Sequence, residues 1–110
     1  MTIEEKIKKL KMRQDEEIQN IKDKIQDIKN EYIKNNYKTD KFEKKEEELI
    51  KLTKEMFWIH LNIIANKPEP EMYENIANEM ERLVGEKRDI IYKLNYPMLK
   101  IQEYNRKKSA

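Results

Sequence analysis

The chain has a single imidazole, His60, and no cysteine, so the residues that could do chemistry are few and easily surveyed. Without thiols there is no disulfide framework, no thiolate nucleophile and no zinc site built on sulfur. A metal site on His60 would want a second ligand one helical turn away, but those positions are Met56 and Ile64. No H-x-x-x-H or E-x-x-H pair occurs anywhere in the sequence. His60 also lies among Met56, Phe57, Ile63 and Ile64 at helical spacings, and is expected to be a core residue satisfied by one hydrogen bond. The carboxylates cluster at Glu16-Glu17, Glu46-Glu47-Glu48 and Glu79/Glu81, on lysine-rich faces. Pairs such as Glu4 with Lys8, Glu5 with Lys9 and Glu47 with Lys51 have the spacing that supports a solvated helix. No catalytic residue, metal ligand or cofactor is therefore assigned, and the sequence reads as a non-enzyme.

Charge offers a second kind of chemistry. Lys6, Lys8, Lys9, Lys11 and Arg13 give the first thirteen residues a local excess of positive charge over Glu4 and Glu5, and Arg106, Lys107 and Lys108 form a basic tail. These clusters are the basis of one reading, a nucleic-acid-associated protein. No helix-turn-helix, zinc finger or aromatic strand motif accompanies them. The whole chain is nearly balanced, with 24 basic and 22 acidic residues, which argues against a strong non-specific polyanion binder.

Trp58 is the most informative aromatic. Its turn-neighbours include Lys54, Glu55 and Asn62, so it points away from the centre of the local apolar arc. Cover for a flanking helix is the expectation there, and a partner contact is the alternative, since tryptophan is enriched at binding hot spots. Tyr96, beside Pro97, has the same two readings.

The elements that must position these residues are helices. One glycine and three prolines leave little turn material, and apolar residues recur at intervals of three and four. Residues 56–65 are the most apolar run, eight of ten, in a chain that is 42% charged with a mean hydropathy of −1.10. This run is too short to cross a bilayer, which takes about 20 residues, and is expected to be the covered centre of the fold. A first helix over about 2–35 carries Ile3, Ile7 and Leu10, then Ile18, Ile21, Ile25, Ile28 and Tyr32. Between the two blocks the phase slips by an inserted four, a stutter, with Gln14 where an apolar residue would fall. Asp40 with Glu43 has the spacing of a capping box for a second helix over about 41–66. Pro68 and Pro70 end it, and a third helix over about 71–94 follows Tyr73, Ile76, Met80, Leu83, Lys87, Ile90 and Leu94, with Lys87 the polar member of the seam. Pro97 should stop or kink that helix, leaving a short extension over about 98–105.

The fold class is all-α: an up-down-up three-helix bundle, or an antiparallel hairpin with a long coiled-coil-like first helix, in one helical domain over 1–110. The layout resembles that of the all-helical chorismate mutases, but the only arginines are Arg13, Arg82, Arg88 and Arg106, none in an apolar stripe, so the clamp for a dicarboxylate is missing. The first helix outruns the second by about seven residues, so Ile3 and Ile7 either need cover from a second copy or another protein or belong to a frayed N-terminus; Leu10 follows them on the same seam. These residues, with Trp58 and Tyr96, are the expected interface. The expected job is protein–protein binding, with a homodimer as one form and no membrane contact. The absence of a secretory signal pattern points to the cytoplasm. Richness in Lys, Asn and Ile suggests an AT-rich genome, and with it an accessory protein of a phage or mobile element, an inhibitor or adaptor of a host or defence protein.

Overall fold

A computed structural model describes residues 1–109 as three helices: α1, Ile3–Lys34; α2, Phe42–Asn66; and α3, Tyr73–Ser109, preceded by one 3-10 turn, Pro70–Met72. No strand occurs among the described residues. The chain runs up, down and up again. One end of the bundle carries the α1–α2 connection (the turn end). The other carries the start of α1 and the α2–α3 connection (the open end).

Local chemistry explains each boundary. Thr2 caps α1, its hydroxyl accepting the Glu5 amide at 3.1 Å. The far end closes as a Schellman motif around Asn36, which takes the left-handed conformation at φ 62°. The Tyr37 amide reaches the Tyr32 carbonyl at 2.9 Å and the Asn36 amide reaches Ile33 at 3.1 Å. The Tyr37 ring then packs edge-on to Tyr32. The expected cap at Asp40 does not form: Lys41 is the residue before the first helical turn of α2, and no side chain caps it. At its other end, α2 stops on a left-handed Lys67, just before Pro68.

Pro97 does not end the third helix. It lies inside α3, which continues to Ser109, so the expected break near residue 95 and separate short helix are one continuous element. The proline leaves the residue 93 carbonyl without its helical amide. One residue on, the Leu94 carbonyl accepts the buried Tyr32 hydroxyl at 2.6 Å. That bond ties α1 to α3 in the turn that Pro97 weakens.

The core is polarised along the rod. Ile21, Ile25, Ile28 and Tyr32 from α1, Phe42 and Leu49 from α2, and Leu94 and Met98 from α3 form one buried cluster at the turn end. Tyr32 and Phe42 meet edge-to-face with centroids 4.7 Å apart. The open end is thinly packed. No residue from 56 to 66 is buried, which overturns the expectation that the most apolar run is the covered centre. The reason lies in its neighbours. The first block of the α1 seam is half-buried at best, and the hydrogen bonds that join α3 to α1 go to Glu17, Tyr32 and Asn35, none of them in that first block. Two layers, not three, cover the apolar run.

Shape follows from this. The molecule measures 57 × 26 × 25 Å with a radius of gyration of 18.2 Å. A compact chain of this length would have a radius of about 13 Å.

Candidate protein-binding groove

The face of α2 that carries Ile50, Lys54, Trp58 and Ile59 stands toward Glu79 and Leu83 of α3. Because α3 covers it incompletely, a groove of about 760 Å³ opens between the two helices, lined by Ile50, Trp58, Ile59 and Leu83 and edged by Lys51 and Glu79. A second hollow of about 450 Å³ continues from Ile59 toward the α2–α3 connection, past Ile63, Pro68, Met72 and Ile76. Ile59 is common to both.

Trp58 stands at the edge of this groove with 63% of its surface exposed, so it does not serve as cover for a flanking helix. Ile59, Met72 and Ile76 were not among the expected interface residues. For Ile59 the signal was present in its three-and-four spacing to Met56 and Ile63, hidden beside the more conspicuous Trp58.

His60 is exposed, contrary to the expected core position. It occupies the α1-facing seam of α2, as its spacing to Leu49 and Thr53 requires, but what stands opposite is polar. It lines a small cleft with Leu10, Arg13, Gln14 and Glu17, where α1 carries its stutter. The missing knob at Gln14 is thus what leaves the imidazole in water. No group of three or more His, Cys, Asp or Glu side chains among the described residues could hold a metal ion.

The other expected interface residues separate. Ile3 is 52% exposed, whereas Ile7 and Leu10 are half-buried, Leu10 lying near Ile64 on α2. Tyr96 is exposed on the outer side of α3, its ring tilted against Tyr92 at 5.8 Å with Lys100 above it at 5.4 Å. The Tyr96 hydroxyl beside Lys100 raises that ammonium above the usual lysine range. Trp58 and Tyr96 do not share one surface: the first belongs to the open half, the second to the distal part of α3.

The basic clusters are equally divided. Lys6, Lys8, Lys9, Lys11 and Arg13 are exposed at the open end, and Arg106, Lys107 and Lys108 are exposed at the opposite end of the rod. They do not make one basic face. The expected pairs Glu4–Lys8, Glu5–Lys9 and Glu47–Lys51 are not closed. The ion pairs of α3 are Arg82 with Glu79 and Glu86, Asp89 with Lys93, and Glu103 with Lys100 and Lys107. Arg82, donating a hydrogen bond to Glu79, holds that carboxyl below the usual carboxylate range.

Comparison with models of known families, with curated proteins and with solved structures gives no match. Among the described residues no helix is long and apolar enough to cross a membrane.

Proposed function

We propose that this protein acts by binding another protein through the groove between α2 and α3, with Trp58 as its anchor. The observation that carries this reading is the large exposed indole beside an apolar hollow, in the half of the bundle that lacks a third covering layer. A solvated bundle has no folding reason to leave Trp58 and Ile59 together at an open edge. A partner filling the groove would bury both and gain the transfer free energy of their surface. The rim carries both signs of charge, Lys51 and Lys54 against Glu55 and Glu79, which suits a protein surface better than a polyanion. In its specific form the reading is of an accessory protein of a phage or mobile element, an inhibitor or adaptor that works by occupying a site on its target and uses no reactive group of its own.

The test is capture of a partner from the source cell by the native chain and by a Trp58→Ala, Ile59→Ser variant of equal helicity. Capture by the native chain alone supports the groove as the site. Equal capture by both sinks it.

A further inference from the structure

We propose that the groove's occupant is the first three turns of α1 from a second copy of this chain, in a reciprocal two-fold dimer. The proposal rests on the groove being a protein-binding site, as argued above, and adds the identity of what fills it. Three observations converge. First, the α1 segment has an apolar seam that α2 does not fully cover: Ile3 is exposed, Ile7 and Leu10 are half-buried, and Ile64 of α2 shares an open hollow with Met1, Lys6 and Leu10. Second, charge is complementary. Residues 1–13 carry five basic and two acidic side chains, whereas residues 69–81, the α3 side and mouth of the groove, carry five glutamates and no lysine or arginine; the lysines of the lining, Lys51, Lys54 and Lys67, all stand on the α2 side. Within one protomer none of Lys6, Lys8, Lys9, Lys11 and Arg13 pairs with Glu69, Glu71 or Glu74; all eight are exposed. Third, the surface is available. The chain exposes 8633 Å², roughly 2,000 Å² more than the about 6,600 Å² expected of a compact chain of its mass. A stable dimer of standard size takes about 800 Å² from each partner.

Both features sit at the open end, so two copies meeting there can exchange them. Each donates its α1 start and receives the other's, as a two-fold axis requires. The exposed Trp58 of each copy is then covered by the partner's Ile3 and Ile7, and the basic residues of the donated helix face Glu69, Glu71 and Glu74.

The experiment is light scattering of the full chain across about 1 μM to about 1 mM, with Trp58 fluorescence followed in the same samples. Two charge-reversed variants accompany it: K6E/K9E/K11E, and E69K/E71K/E74K. The expected native result is a mass of twice 13.6 kDa and a blue-shifted Trp58 emission that turns red on dilution. Each variant alone should dissociate at least about tenfold more readily, since each now sets like charge on like. An equimolar mixture of the two should recover the dimer, because every donated helix again meets an α3 wall of opposite sign. The substituted residues are exposed, so helicity by circular dichroism should stay native. A native chain that is monomeric throughout overturns the dimer while leaving the groove open to a different partner, which the Trp58→Ala capture experiment decides separately. A dimer that both variants keep, or one in which Trp58 stays in water, overturns the placement of α1 in the groove.

Discussion

Lys87 is the residue whose environment conflicts most with its type. It is 9% exposed on the α3 seam, and its ammonium meets the half-exposed Glu17 of α1 at 2.5 Å. Such a pair adds little net stability, because desolvating the ammonium offsets most of the attraction. Removing one partner is asymmetric, however. Glu17→Gln leaves a charge among apolar neighbours and should cost about 1–3 kcal/mol, whereas Lys87→Met removes that charge and should be neutral or stabilising. Urea midpoints at constant slope measure both, and Lys87→Met proving the worse of the two would contradict this account. Tyr32 offers the simpler case. Tyr32→Phe keeps the ring edge-to-face with Phe42 and deletes only the hydroxyl that reaches the Leu94 carbonyl, so a loss of about 1 kcal/mol is expected. An unchanged midpoint would mean that the bond contributes nothing measurable.

At the scale of the helix, Pro97 is the anomaly, because a proline inside α3 removes one backbone bond and crowds the preceding turn. Pro97→Ala should therefore raise stability, by no more than about 3 kcal/mol, with a gain of helicity read by circular dichroism. A loss of stability would mean instead that Pro97 helps to seat Met98 in the core. This element also shows how far the sequence could be read. The seam through Leu83, Lys87 and Leu94 was legible as period, and so were the helical fold class and the proline boundary at residues 68–70. Continuation of the helix through Pro97 was not, because local propensity favours a stop there and the packing of Met98 and the Tyr32–Leu94 bond are long-range. His60 failed for a related reason. Its wheel position marks the direction it points, but the residues waiting there, Arg13 and Gln14, belong to another helix. Trp58 was legible as pointing away from the apolar arc, but its exposure was not, because cover by a flanking helix was the expectation and the course of α3 past it is a long-range property that no spacing within α2 encodes.

For the molecule as a whole, the polarised core implies unequal stability along the rod. Buried side chains are concentrated where Ile21 to Tyr32, Phe42 to Leu49, and Leu94 to Met98 meet. Outside that cluster Leu83 of α3 is, among the described residues, the one fully buried apolar side chain, and the open half holds its helices together mainly with half-buried contacts. Local opening follows the density of buried apolar contact, so amides of residues 21–34, 42–53 and 87–98 should exchange with solvent only on global unfolding. Those of residues 3–13 and 56–80 should exchange through cheaper openings, by at least about tenfold faster, a difference of about 1.4 kcal/mol. Hydrogen exchange resolved by residue reads this directly, and uniform protection along α2 would contradict the polarised core. The same measurement at rising protein concentration joins the energetics to the proposed dimer. Anything that binds the folded open half stabilises it by mass action, so protection there should climb with concentration while the turn end stays constant. In this view the most apolar segment of the chain was left half-covered because its burial is completed between molecules, and the stability withheld from the monomer reappears in the complex.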